Sequence, residues 1–433
     1  MKILVALVSL MLPAAASAFA QGTQSLRAHV DRVYPAAEAL YIHFHKNPEL
    51  SLRETATAAR LASELTQLGY EVTAGVGGTG VVGVLKNGAG PTVMLRTELD
   101  ALPLTENTGL PFASTVKVRD AAGIEVGVMH ACGHDIHMAA WVSTARIMAA
   151  DKKSWKGTLV LVGQPAEEIV SGAQSMIDDG LFTRFPKPNY ALAVHDDARY
   201  AAGVIGYHPG PIFTNSNALT ITIFGRGGHG ARPETTIDPV VIAARTVVAL
   251  QTIVSREISP FDPAVITVGA IHGGTKHNII PDEVQLQLTV RSFTPAVRRK
   301  LLSAIARVAK AEAAAAGADR EPRIVQDQST DALVNDSSMT QRVSSALIRE
   351  LGKSQVIDTP PEMVSEDFGK FQLAGVPTLM LRVGAIERSK HEQAAKAGTL
   401  IPGLHSSQFY PDREPVLKAA IMAEVIALRE LLR

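Results

Sequence analysis

The run Met129-His130-Ala131-Cys132-Gly133-His134-Asp135-Ile136-His137 packs three imidazoles, one thiol and one carboxylate into a single short stretch. A thiolate and a neutral imidazole are good ligands for a borderline-soft divalent cation. Cys132 and His134 flank Gly133, so both can reach one site where a loop enters a helix. Asp135 is expected to hold a ligand imidazole in orientation. Read alone, the run also fits a structural histidine cluster, and Cys132 a buried thiol. A second group is Gly163-Gln164-Pro165-Ala166-Glu167-Glu168, just beyond the apolar segment Thr158–Val162. Ligands of open α/β sheets gather beyond the carboxyl ends of strands. Neighbours in extended chain point opposite ways, so one carboxylate can meet a metal while the other faces substrate. The pair alone also fits an exposed acidic turn. His195, ending the Ala191–His195 strand, and His405, in Leu404-His405-Ser406-Ser407, add two imidazoles. A single histidine is more often structural than a ligand. The turn Gly225–Gly230 exposes backbone N–H groups suited to an anion, and His229 within it adds a donor; a plain loop fits equally. Asn278 and Arg291 carry weaker signals.

These residues need a scaffold. Helical patterns cover about Ser25–Lys46 and a segment opened by Ser51-Leu52-Arg53-Glu54, which has capping-box spacing. Strand-like runs follow at Val81–Leu85 and Thr92–Arg96, separated by the turn signal Asn87-Gly88. A helix over about Asp135–Ala150 precedes strands at Thr158–Val162 and Ala191–His195. This alternation predicts an α/β layer with a largely parallel sheet. After Pro209-Gly210-Pro211 the pattern becomes β-α-β-β-α: alternating Leu219, Ile221 and Ile223, a helix over Asp238–Glu257, strands at Ala264–Ile271 and Val284–Phe293, and a helix over Pro295–Ala316. Alternation resumes after Gln326. The expected architecture is a discontinuous domain of residues 21–213 and 327–433, interrupted by an open-faced α+β sandwich of residues 214–326.

The chain has 433 residues, 46% hydrophobic and 19% charged, enough for a sizeable core. Forty-two Lys+Arg balance 42 Asp+Glu, so no basic excess points to nucleic acid. Met1-Lys2, the apolar run Ile3–Leu12 and the small residues up to Ala18-Phe19-Ala20 read as a signal peptide over residues 1–20, cleaved after Ala18 or Ala20. The run is shorter than the roughly 20 apolar residues of a membrane span. The expected location is periplasmic or secreted, without stable membrane insertion after cleavage. Cys132 is the single cysteine, which excludes an intrachain disulfide.

Taken together, these strings resemble the metallohydrolase family of hippurate hydrolases and auxin–amino-acid amidohydrolases, related to aminoacylases and glutamate carboxypeptidases. The likeness runs from Phe44-His45…Pro48-Glu49-Leu50 to Leu404-His405. Within it Arg96…Asp100-Ala101-Leu102-Pro103, His130–His137, Gly163–Glu168, Gly227–Gly230 and Ser365-Glu366-Asp367-Phe368 stand in the family's order. The resemblance implies a two-metal catalytic domain with a lid that also mediates dimerisation. It matches Cys132 to a bridging thiolate, with His134, Glu168, His195 and His405 as the other ligands. Glu167 matches the general base and His229 an oxyanion donor, while Asn278 and Arg291 match lid positions near substrate. Asp100 and Asp135 are expected behind the ligands. Two divalent cations per subunit follow, zinc first, with manganese, cobalt and nickel open.

The implied activity is hydrolysis of N-acyl amino acids or related small amides by a hydroxide shared between the metals. A dipeptidase or carboxypeptidase of the same fold is the alternative, and a non-catalytic periplasmic binding protein a third reading. A homodimer or higher homo-oligomer is expected from the resemblance alone. Four positions depart from the family pattern: Glu98 in place of Asp, Asp196-Asp197-Ala198 where prolines are common, Glu234 where many relatives carry a second lid histidine, and His208 where arginine is frequent.

Overall fold

The apolar strands assemble into one mixed eight-stranded sheet. Its order is Glu71–Val76, Gly80–Asn87, Gly157–Gln164, Thr92–Glu98, Tyr190–Ala201, Thr378–Ile386, Ile205–Tyr207 and Val356–Asp358. The computed structural model describes residues 4–119 and 123–433, with side chains from Ser25 onward. The signal-peptide reading of residues 1–20 therefore lies outside the described side chains. The sheet belongs to the first of two compact units, formed by Met1–Gly210, Asn335–Pro360 and Lys370–Arg433.

The four strands nearest the site run parallel: Gly157–Gln164, Thr92–Glu98, Tyr190–Ala201 and Thr378–Ile386. Elsewhere the expectation of a largely parallel sheet needs correction. The Gly80–Asn87 strand is antiparallel to both its neighbours, and Ile205–Tyr207 is antiparallel to Thr378–Ile386. The chain does turn at Gly88 (φ 82°), yet the strands on either side are not partners. The Gly157–Gln164 strand inserts between them, pairing Leu161 with Gly83 on one side and with Leu95 on the other. Strands buried on both faces read as continuous apolar runs, and Val93, Met94, Leu95, Leu159 and Leu161 fit that rule.

The His134–Ala150 helix is buried nearly all round, packed among the first helix (Leu4–Lys46), the last helix (Arg413–Leu431) and the Thr92–Glu98 strand. Trp141 locks it there by donating its indole N–H to the Leu95 carbonyl at 3.0 Å. The next correction concerns the capping box. The second helix spans Thr55–Gln67, but Ser51 and Glu54 do not cap it reciprocally. Ser51 donates to Asp100, and Glu54 is wholly buried. Glu49 accepts from the backbone N–H groups of Ala56 and Thr57 in their place.

The second unit, Pro211–Val334 with Pro361–Gly369, contains a four-stranded antiparallel sheet ordered Ala264–His272, Glu283–Ser292, Asn215–Phe224 and Arg323–Thr330. Alternating Leu219, Ile221, Ile223, Leu286, Leu288 and Val290 bury one face against helices Pro239–Thr252 and Pro295–Ala315. Asp238 and Thr294 start these helices by accepting from Val240 N–H and Val297 N–H, with proline at the first turn. The fourth strand, absent from the sequence reading, pairs Ile324 with Ile221; a boundary at residue 326 falls inside it. Among the described helices, Pro239–Glu257 alone is long and apolar enough to cross a membrane, and its Ile242, Ala243 and Leu250 pack on this sheet.

Candidate metal centre

Five segments of the first unit converge beyond the carboxyl ends of the parallel strands. The Thr92–Glu98 strand leads to Asp100, Gly157–Gln164 leads to Glu167 and Glu168, and Tyr190–Ala201 carries His195. Cys132 and His134 flank the start of the Ile136-containing helix, and His405 enters from the loop before the last helix. Three of the junctions have left-handed backbone. Gly133 has φ 75°, and a Cβ there would lie 2.4 Å from Asp196 Oδ2, so glycine is required twice over. Ala166 (φ 52°) and His405 (φ 63°) bear a cost of roughly 1–2 kcal/mol each. Tertiary hydrogen bonds hold both: Ala166 N–H donates to Glu54 Oε1 at 2.8 Å, and His405 N–H to the Ala131 carbonyl at 2.8 Å.

Second partners decide which nitrogen of each imidazole faces inward. His134 donates from Nδ1 to the Asp100 carbonyl at 2.7 Å, and His195 from Nδ1 to the Asp196 carbonyl at 2.8 Å. Both Nε2 atoms are thereby left as ligands. Cys132 Sγ lies 3.7 Å from His195 Nε2 and 3.3 Å from His405 Nε2. His405 Nε2 is 3.5 Å from Glu168 Oε2, and His134 Nε2 is 3.9 Å from Glu167 Oε2 and 4.0 Å from Glu168 Oε1. Donors on one tetrahedral zinc stand about 3.3–3.6 Å apart, given bonds of roughly 2.0–2.3 Å. Cys132 belongs to two such trios, one with His134 and His195, the other with Glu168 and His405. His134 Nε2 and Glu168 Oε1 are buried without a hydrogen-bond partner among the described residues. Orphaned buried acceptors cost about 1–3 kcal/mol each, and a cation would satisfy both. The donor set therefore fits divalent metal.

The charges agree. Burial, reinforced by the Glu168 and Glu167 carboxylates, pushes the Cys132 thiol well above its ordinary range. Burial also lifts Glu168 to about 7; His134 opposes the shift and Asp100 adds to it. Burial alone would lower His134, but its hydrogen bond to Asp100 and the carboxylates of Glu98 and Glu168 raise it to about 9. Such a site holds excess negative potential that a dication offsets. For His405 the outcome is downward, through burial and the neighbouring His134 and His195.

Asp135 does not face a ligand imidazole. Its Oδ2 meets His45 Nδ1 at 2.6 Å, and His45 Nε2 meets Glu106 at 3.0 Å. The role expected of Asp135 falls to the Asp100 carbonyl. The Asp100 carboxylate accepts from Ser51 Oγ at 2.7 Å and Glu168 N–H at 2.9 Å, which fixes the acidic pair. His137, inside the metal-like run, has both nitrogens engaged: Nδ1 with Glu98 at 3.1 Å, and Nε2 accepting from Asp196 N–H at 2.9 Å. Glu98 also binds Arg96, so the longer side chain is absorbed by a buried network. Asp196, Glu54 and His45 were not among the sequence candidates. Only the chemistry of a charged residue in an apolar surrounding could have flagged them.

His229, Asn278 and Arg291 lie in the second unit. His229 sits on a two-stranded ribbon with Ile279, and its Nδ1 accepts from Ala231 N–H at 3.0 Å, so the ring's proton is on Nε2. Gly230 N–H donates to the Asn278 carbonyl at 2.9 Å, which joins the two segments. Arg291 is half-buried and donates to the Met363 carbonyl at 2.9 Å. Glu234 is exposed in a short turn over Pro233–Thr235, and His208, in the first unit, pairs with Asp358 at 2.7 Å.

Residues 94–403 match the family described as peptidase family M20/M25/M40. The chain is 36% identical to thermostable carboxypeptidase 2 of Saccharolobus solfataricus over 88% of its own length and 92% of that protein. It is also 36% identical to hippurate hydrolase of Campylobacter jejuni, over 77% of its own length and 84% of that enzyme. The crystal structure of the Bacillus subtilis YXEP protein, described as a dinuclear metal binding peptidase, superposes with a TM-score of 0.74 at 27% identity, covering 92% of this chain and 98% of that one. With the fold, the donor cluster and these likenesses in agreement, the chain belongs to peptidase family M20/M25/M40 and is a metal-dependent amidohydrolase/peptidase of it.

Proposed function

We propose that the protein hydrolyses the amide bond of N-acyl amino acids or related small amides, with two divalent cations held by Cys132, His134, Glu168, His195 and His405. The observation that carries this reading is Cys132 shared between two donor trios beside a buried, unsatisfied His134 Nε2 and Glu168 Oε1. When bound, such cations supply Lewis acidity to the carbonyl and bring the pKa of a water down to about 7. Glu167 takes the proton of the attacking water and returns it to the leaving nitrogen. His229 donates from Nε2–H to the oxyanion, a contribution typically worth about 2.7–4 kcal/mol. Asn278 and Arg291 contact the substrate. The first metal of choice is zinc, as thiolate and imidazole favour it, with manganese, cobalt and nickel as alternatives. Export on the N-terminal apolar run and assembly as a homodimer complete the proposal; both rest on the sequence reading.

A carboxypeptidase or dipeptidase specificity is the second reading, favoured by the likeness to the Saccharolobus enzyme. Parallel assays of N-acyl amino acids and dipeptides separate the two. Elemental mass spectrometry on the reconstituted protein should find about two ions per chain. Glu167→Gln should keep the metal and lose roughly 10²–10⁴ in turnover. Full activity in that variant would sink the base assignment, and unchanged metal content in Cys132→Ala would refute the shared thiolate.

A further inference from the structure

A cavity of about 610 Å³ lies within the first unit, lined by none of the metal-centre residues. Its volume is in the range of small-molecule sites. Tyr34, Tyr41, Phe112 and Tyr410 give it aromatic walls, with Tyr41 and Phe112 meeting edge to face at 6.0 Å between ring centroids. The cations that line it are already engaged. Arg413 is bound by Glu38, and Lys390 donates to Tyr410 Oη at 2.9 Å and pairs with Glu387 at 3.6 Å.

Apart from the amide of the exposed Gln408, two polar groups in the lining are left over. Tyr41 is 1% exposed, and its hydroxyl has no hydrogen-bond partner among the described residues. Asp412 stands before the last helix without capping it, and its carboxylate makes no hydrogen bond or ion pair among the described residues. Burial and the nearby Glu387 raise the Asp412 pKa, the mark of a carboxylate short of positive charge. Acidic residues also outnumber basic ones in the lining: Glu38, Glu387, Asp412 and Glu414 against Lys390 and Arg413. An anion would add to this excess and find no free donor except the phenol and the exposed Gln408 amide. An ammonium group brings donors for both leftover acceptors, and aromatic faces attract it.

We propose that this cavity is a binding site for an organic ammonium ion with an apolar body, its nitrogen taken by Asp412 and the Tyr41 hydroxyl and its body by the Phe112 and Tyr410 rings. The site is separate from the metal centre and independent of the hydrolytic reading. The test is isothermal titration of the full, zinc-reconstituted protein with phenethylammonium and with 3-phenylpropionate as the anion of matched size. The amine is expected to bind one to one and the acid not at all. Asp412→Asn and Tyr41→Phe should each weaken the amine about tenfold or more. Tyr41→Phe keeps the ring packing against Phe112, so it decides the matter alone if Asp412→Asn fails to fold. Absence of amine binding, equal binding of the acid, or amine affinity unchanged in the folded variants would overturn the proposal.

Discussion

Replacing Glu54 separates the shape of the catalytic turn from its charge. Glu54 is wholly buried, and its Oε1 accepts from Leu52 N–H at 3.0 Å and Ala166 N–H at 2.8 Å, while Oε2 accepts from Thr79 Oγ1 at 2.6 Å. Ala166 precedes Glu167 and Glu168 in left-handed backbone. In Glu54→Ala the Leu52 N–H, on a residue 57% exposed, finds water. The Ala166 N–H, on a residue 0% exposed, does not. Stranding that donor costs about 1–3 kcal/mol, and the strained left-handed turn loses one of the restraints that hold it. The expected destabilisation is therefore about 1–3 kcal/mol, with Glu167 and Glu168 displaced as the turn relaxes. In Glu54→Gln the amide oxygen keeps both backbone donors and the amide nitrogen donates to Thr79, whose hydroxyl can rotate. Its stability should stay within about 1 kcal/mol of the parent. Burial, with Asp100 adding to it, raises the Glu54 pKa. Its protonated form thus favours folding, a contribution present below the unfolded carboxyl range and lost as pH rises through the folded pKa. The glutamine variant should lose that pH dependence. Urea unfolding across pH, with metal content and turnover on the same samples, measures all of this. An alanine variant as stable, metal-loaded and active as the parent would refute the reasoning, as would a glutamine variant equally damaged.

Gly133→Ala forces a Cβ to within 2.4 Å of the Asp196 carboxylate at φ 75°; a loss of at least about 2 kcal/mol and weaker metal retention are expected in unfolding and metal-content assays. His45→Phe leaves Asp135 and Glu106 buried without their shared partner, for an expected loss of about 3–5 kcal/mol by urea unfolding. Burial alone would lower the His45 pKa, but those two carboxylates lift it to about 10. Its contribution is complete below the unfolded value near 6.5 and disappears as pH rises through 10, so the gap between parent and variant should close with alkaline pH. Removing metal with a chelator should lower the melting temperature, because a ligand at 100 times its Kd stabilises the folded state by about 2.7 kcal/mol. An unchanged transition would argue against a structural contribution from the metal.

The donor types were legible because short segments carry them. Cys132, His134, Glu167 and Glu168 stand in two local runs, and the alternation of apolar strands and helices announced the sheet that delivers them. The second unit's strands were readable from period-two burial, save Arg323–Thr330, whose sequence Arg-Ile-Val-Gln-Asp-Gln-Ser-Thr is polar because it is an exposed edge strand. The insertion of Gly157–Gln164 between two strands adjacent in the chain could not be read, since pairing across 66 residues (Leu95 with Leu161) or 78 (Gly83 with Leu161) has no local signature. Asp135 and Ser51-Glu54 were misassigned for the same reason: each matched a local motif, and each found a better partner elsewhere. His45 and Asp135 meet across 90 residues, and Glu54 and Ala166 across 112. The sequence by itself determined which ligand chemistry and which secondary structure this protein has. Only the tertiary structure decided which imidazole nitrogens face the centre and which carboxylates stand behind them, because a buried polar group takes its partner from whatever distant segment packing brings within hydrogen-bond reach.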